Sequence, residues 1–214
     1  MRLVLPRLYV ILDAALLTVP ESECAQKIAD AGVRLLQFRN KAASSRELFE
    51  TGNRLSSQLV PQGVSFLVND RADIASVVNA TGVHVGQEDL SVEAARQVIG
   101  TGKWVGVSTH NLEQFERATA TSADYVAVGP VFCTSTKTNP DPVVGIDFIR
   151  RVRTLSNKPI VAIGGITVDR AAEVIRAGAD SVAVASDILR APDPGRRARQ
   201  YIELLEAANH AAAV

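Results

Sequence analysis

Cysteine is nearly absent from this 214-residue chain, with only Cys24 and Cys133. Two cysteines cannot build a disulfide framework, and neither belongs to a spaced set with histidine that would hold zinc, so a reducing, cytoplasmic setting fits. Net charge is absent too: Lys+Arg and Asp+Glu number 23 each. A balanced chain offers no basic field for a nucleic-acid backbone and no polybasic membrane patch, so any anion must be bound by a local constellation. Long apolar runs are also missing. The run Leu8 to Leu12, bracketed by Pro6 and Asp13, is short for a secretory core and far short of a membrane span. No glycine-rich turn follows it, as Leu12-Asp13-Ala14-Ala15-Leu16 shows, which argues against an open dinucleotide-binding sheet. No Walker loop, Ser-His-Asp order or cysteine cluster appears elsewhere.

What is present is alternation. Apolar, β-branched-rich segments predict strands at Leu8 to Asp13, Leu35 to Asn40, Ser65 to Asp70, Gly82 to Gly86, Trp104 to Thr109, Tyr125 to Pro130, Ile160 to Gly165 and Ser181 to Ser186. Amphipathic segments lie between them. Ser91 to Ile99 puts Val92, Ala95 and either Val98 or Ile99 on one face; Val168 to Ala177 does so with Ala171, Ala172 and Ile175. Ser22, then Ser44 or Ser45, and Thr167 stand where helices begin, and Gly32, Gly100 and Gly178 stand just past helix ends. An echo such as Ala31-Gly32-Val33 and Thr81-Gly82-Val83 leads into even-numbered strands. Eight such units in a chain of this length point to one domain over residues 1–214, a single closed (β/α)₈ TIM barrel, with a frayed tail after Asn209.

Function in such a barrel belongs to the loops after the strands, at their C-terminal ends. Gln37, Arg39 and Lys41 share one parity of strand two and imply an anionic ligand at the barrel mouth. Asp70 and Asp89, from the neighbouring third and fourth strands, form a carboxylate pair suited to Mg²⁺ and a diphosphate; the plainer alternative makes Asp70 a helix cap and Asp89 a turn residue. Ser108 can donate to the same phosphates or begin the following helix. After strand six, Thr134, Ser135, Thr136 and Lys137 supply hydroxyls and a point charge for an anion. Gly164-Gly165 and Ala185-Ser186, after strands seven and eight, provide backbone for a second phosphate. His84, between two valines, reads as a hydrogen-bonded interior residue rather than a base. Two anion sites imply two phosphorylated ligands or one long one.

The motifs Gln37-Phe38-Arg39-Asn40-Lys41, Val68-Asn69-Asp70-Arg71, Gly82 through Asp89, Gly106-Val107-Ser108, Gly129-Pro130-Val131-Phe132 through Lys137, Ile163-Gly164-Gly165-Ile166 and Val184-Ala185-Ser186 together resemble the thiamine phosphate synthase family, from first strand to eighth helix. The resemblance implies a transferase that joins an aminopyrimidine diphosphate to a thiazole phosphate carrying a carboxylate, releasing thiamine monophosphate, diphosphate and carbon dioxide. It implies Mg²⁺ on Asp70 and Asp89. It puts the pyrimidine diphosphate against Gln37, Phe38, Arg39, Asn40, Lys41, Asn69, Ser108 and Lys137, with Arg39, Lys41, Ser108 and Lys137 acting on the departing diphosphate. The thiazole phosphate falls to Thr134, Ser135, Thr136, Gly165, Ala185 and Ser186. Cys133 stands where the family often has proline, and Ala185 where a larger aliphatic is usual. Two rivals stay open here: a thiazole tautomerase-like isomerase, whose members tend to lack both aspartates and to carry His at the position of Pro130, and a non-catalytic thiazole phosphate-binding barrel.

Overall fold

The computed structural model describes residues 3–134 and 141–212, the last five of these as backbone only. Eight parallel strands close on themselves in sequence order: β1 (Leu8–Asp13), β2 (Leu35–Arg39), β3 (Ser65–Asn69), β4 (Gly82–Val85), β5 (Trp104–Thr109), β6 (Tyr125–Val128), β7 (Ile160–Ile163) and β8 (Ser181–Val184). Pairing of β1 with β8 through Leu8↔Val182 and Val10↔Val184 completes the barrel. The helices are α1 (Glu21–Asp30), α2 (Ser45–Leu59), α3 (Ala72–Val77), α4 (Val92–Ile99), α5 (Leu112–Thr119), α6 (Ile146–Arg153), α7 (Val168–Arg176), α8 (Ser186–Leu189) and α9 (Pro194–Ala212). All eight expected strands are present. Six of them end one or two residues earlier than their apolar pattern suggested, because the trimmed residues, mostly glycine or polar, already belong to the loops that follow the strands.

Alternation within each strand sorts side chains into two layers. Val10, Leu12, Leu36, Phe38, Phe66, Val68, Val83, Val126 and Val182 face outward into the layer shared with the helices. Tyr9, Ile11, Leu35, Leu67, Tyr125, Ala127, Val161 and Ala183 fill the barrel interior. Gly106 is required for this filling: a Cβ there would stand 2.0 Å from the Tyr125 ring.

Helix boundaries follow their chemistry in most places. Ser44 closes a capping box with Glu47 at α2, and Ser91 and Asn111 cap α4 and α5 through their side chains. On α4 it is Ile99 that turns inward, while Val98 is 44% exposed. One expectation is corrected. Ser22 lies inside α1, whose N-cap is Pro20 with no side-chain bond; the proline's fixed φ supplies the entry turn instead. α9 runs to Ala212.

Candidate active site

A cavity of about 950 Å³ opens at the carboxyl ends of the strands and takes lining residues from all eight of them. A second cavity, about 640 Å³, lies at the opposite end against Leu3 to Leu8, Val33 and Leu205, and its lining is largely aliphatic. The chemistry therefore collects at the first.

One pole of that cavity is charged. Lys41 Nζ lies 3.0 Å from Asp70 Oδ2, and Arg39 is ion-paired and hydrogen-bonded to Asp13. Asp70 sits at φ 61°, a left-handed conformation that few non-glycine residues adopt and that aspartate tolerates better than most. Its backbone N–H donates to the His84 carbonyl at 2.7 Å, which holds it there. This conformation takes Asp70 out of the cap position, which Arg71 occupies at α3. Asp89 accepts from the Gly86 N–H at 2.7 Å, closing a turn that brings its carboxylate to Asp70. Burial and then the facing Asp70 carboxylate push the Asp89 carboxyl above its ordinary value. Two oxygen-donor carboxylates repelling one another at a cavity rim fit a hard divalent cation that keeps several waters; among the described residues no third His, Cys, Asp or Glu joins them.

The other pole is built from backbone. Gly164 and Gly165 turn out of β7 at φ 102° and 62°, and both line the cavity with Ala185, Ser186 and Thr134. Their glycine identity has a second cause beyond ligand approach. A Cβ on Gly165 would stand 2.3 Å from the Cys133 carbonyl, and one on Gly164 would stand 2.5 Å from Pro130 Cβ, so the turn and the loop after β6 are packed against each other. Arg170 closes this side, its guanidinium 4.6 Å from the Phe132 ring centroid and donating to the Gly165 carbonyl at 3.2 Å. Tyr201, from α9, donates toward Asp187 Oδ2 at 2.8 Å and the Ile166 carbonyl at 3.1 Å, tying the ends of β7 and β8 together.

The expected site residues separate into three groups. Arg39, Lys41, Asn69, Asp70, Asp89, Ser108, Thr134, Gly165, Ala185 and Ser186 all line the one cavity. Gln37 does as well, yet it is a buried residue within the barrel, 3% exposed, rather than a side chain at its mouth. Its burial is tolerable because Nε2 donates to the Tyr9 hydroxyl at 2.6 Å. Phe38 and Asn40 lie off the cavity. Phe38 has the opposite strand parity and packs in the layer against the helices, and the Asn40 side chain accepts from the Ala42 and Ala43 amides at 3.2 Å to shape its own loop. Ser135, Thr136 and Lys137 fall outside the described residues.

His84 is an interior residue as its neighbours implied, with Nδ1 at 2.9 Å from the Tyr125 hydroxyl and Nε2 at 2.9 Å from Ser108 Oγ. His110 Nδ1 lies 2.6 Å from the Gly129 carbonyl, which fixes the proton on that nitrogen, and Nε2 turns toward Asp141 at 3.5 Å. Sequence reasoning missed Asp13, Tyr9, Tyr125 and Arg170. Asp13 was legible only as a polar strand end, as Arg39 is for β2; the register that sets the two opposite each other belongs to the folded sheet. The tyrosines were not, because nothing local separates them from aromatic core.

Comparison with known proteins places the fold and the family. A family model for thiamine monophosphate synthase matches residues 8–188. Curated relatives named thiamine-phosphate synthase include that of Koribacter versatilis, 49% identical over 94% of this chain and 96% of its own, and that of Chloroflexus aurantiacus, 43% identical over 93% and 92%. Among solved structures, thiamine phosphate pyrophosphorylase from Pyrococcus furiosus superposes with a TM-score of 0.86 at 34% identity, covering 94% of this chain and 96% of that one. 3-Hexulose-6-phosphate synthase from Salmonella typhimurium shares the fold alone, at 21% identity and a TM-score of 0.72. With β1 to β8 inside the matched span and both poles of the cavity drawn from it, the chain belongs to the thiamine monophosphate synthase family.

Proposed function

We propose that this cavity couples an aminopyrimidine diphosphate to a carboxylated thiazole phosphate, yielding thiamine monophosphate, diphosphate and carbon dioxide. The observation that carries the reading is the division of one cavity into a charged pole over β2 to β5 and a backbone pole over β7 and β8. Each suits a different phosphorylated substrate. Gln37, Arg39, Lys41, Asn69 and Ser108 would hold the pyrimidine diphosphate, joined by Lys137; Thr134, Gly165, Ala185 and Ser186 would hold the thiazole phosphate, joined by Ser135 and Thr136. Asp70 and Asp89 would hold Mg²⁺, which when bound supplies Lewis-acid charge to the departing diphosphate.

The chemistry asks little proton transfer of the protein. Diphosphate leaves the exocyclic methylene with the C–O electron pair, and the aminopyrimidine ring delocalises the cation. The thiazole nitrogen lone pair then forms the new C–N bond, and loss of carbon dioxide leaves its electron pair on the ring carbon, which takes a proton. Arg39 and Lys41 stabilise negative charge building on the diphosphate, while the backbone pole keeps the thiazole nitrogen facing the methylene. Asp13 orients Arg39 for this task. Retention of Asp70 and Asp89, with proline rather than histidine at position 130, favours this over the tautomerase-like reading. Among the described residues no helix is long and apolar enough to cross a membrane.

Mixing purified protein with both substrates, with and without Mg²⁺, tests the reading. Equal, Mg²⁺-dependent amounts of thiamine monophosphate and diphosphate are expected. Thiazole phosphate binding with no product would transfer the site to an isomerase or a binding protein.

A further inference from the structure

Beneath the cavity, five polar side chains from five strands form one unbroken hydrogen-bonded chain. Gln37 Nε2 lies 2.6 Å from the Tyr9 hydroxyl, Tyr9 and Tyr125 hydroxyls are 3.1 Å apart, Tyr125 reaches His84 Nδ1 at 2.9 Å, and His84 Nε2 reaches Ser108 Oγ at 2.9 Å. The inner members are 7% exposed or less. Their arrangement is constrained by packing as well: Tyr9 meets Tyr125 edge to face, His84 stacks on Tyr125 with ring centroids 5.5 Å apart, and Gly106 leaves the space that Tyr125 fills. Burial drives both phenol pKa values well above the ordinary tyrosine range, so each hydroxyl carries one proton.

Counting those protons gives the chain a direction. With the Gln37 amide nitrogen facing Tyr9, the Tyr9 oxygen is an acceptor, and its single proton passes to the Tyr125 oxygen. Tyr125 then donates to His84 Nδ1. A neutral His84 with a bare Nδ1 carries its proton on Nε2 and donates it to Ser108 Oγ. The Ser108 proton has no use within the chain and faces the cavity that Ser108 lines. The reverse direction would bring two donors to the Tyr9 oxygen and leave the Tyr9 proton with no acceptor among these contacts, deep in the barrel, where an unmade bond is costly.

We propose that Gln37, Tyr9, Tyr125 and His84 are positioning residues that fix the proton polarity of Ser108, holding its hydroxyl as a donor toward an acceptor oxygen of a diphosphate ligand. The ligand's identity rests on the coupling reading above; the polarity does not. Such a pre-set donor needs no reorientation as negative charge grows on the leaving group, so its effect belongs to turnover more than to binding.

Two experiments on the whole protein test this. Nitrogen-15 NMR of the histidines, three in all and with His84→Gln to identify the signal, is expected to show a protonated Nε2 and a bare Nδ1 on His84. The opposite tautomer overturns the polarity. In steady-state kinetics, Tyr125→Phe removes the donor to His84 and is expected to lower kcat about tenfold with the KM for the pyrimidine diphosphate nearly constant. Tyr9→Phe deletes an equally buried hydroxyl but leaves Tyr125 able to donate, so its loss is expected to be smaller. In a Ser108→Ala background the Tyr125→Phe loss is expected to vanish. Equal losses from the two tyrosine variants, or an undiminished Tyr125→Phe loss in that background, would mark a packing effect and overturn the proposal. A protein with the stated tautomer that forms no product overturns the coupling reading and the diphosphate with it, and upholds the polarity.

Discussion

Removing the carboxylate of Asp13 tests how the charged pole is held together. Asp13 is 2% exposed, its Oδ2 is paired with Arg39 and its Oδ1 accepts from the Ala15 N–H at 3.1 Å. The Arg39 side chain is 20% exposed, so the pair is mostly shielded from solvent. Breaking a buried pair by deleting one partner costs about 3–5 kcal/mol, chiefly because the surviving charge is left uncompensated; the exposed fraction of Arg39 puts Asp13→Ala near the lower end, about 3 kcal/mol. For a chain of this size that lowers the melting temperature by about 6–12 °C. Asp13→Asn keeps the Oδ1 acceptor for Ala15 and isolates the charge. The double variant Asp13→Leu with Arg39→Met replaces the pair by apolar volume and is expected to recover most of the loss, within about 1 kcal/mol of the parent. Activity is expected to separate from stability: turnover falls at least about tenfold in Asp13→Ala, where Arg39 loses its orientation, and stays low in the stable double variant, which has no guanidinium. Thermal denaturation beside steady-state kinetics reads both. A melting temperature for Asp13→Ala within about 2 °C of the parent would show an ion pair of the value found at exposed surfaces, and would refute the reasoning.

Asp70→Ala is expected to reduce turnover by about 10²-fold while thiazole phosphate affinity, measured by calorimetry, stays near that of the parent; parallel loss of both would refute the division into two poles. Because the Asp89 carboxyl is raised by burial and by Asp70, its contribution to stability is present at acid pH and is lost as pH rises through that elevated value. Mg²⁺ is therefore expected to raise the melting temperature more at pH 7 than at pH 4, and Asp89→Ala should abolish the difference in a thermal-shift series. Gly165→Val adds a β-branched side chain at φ 62° where a Cβ already meets the Cys133 carbonyl, so thiazole phosphate affinity should fall while pyrimidine diphosphate binding persists; unaltered thiazole affinity in a folded variant would contradict the placement of that pole.

Sequence alone determined a great deal here, for identifiable reasons. Strand and helix order follow from local apolar periodicity, and eight alternating units have few ways to close, so the barrel was legible before any coordinates. Asp70, Asp89, Gly165 and Ser186 were legible as well, since each lies just past an apolar run and the fold sends such positions to one rim. Tertiary structure decided what depends on partners distant in the chain. Closure of the barrel brought Tyr9 to Tyr125 across 116 positions of sequence, making polar wiring of what reads locally as aromatic core. The register of β1 on β2 paired Arg39 with Asp13, 26 residues away, so that a cation expected to await an anion is already held by a buried carboxylate. The physical reason is common to both: periodicity reports which face a residue occupies, whereas hydrogen bonding and charge compensation depend on which groups the closed sheet sets opposite one another.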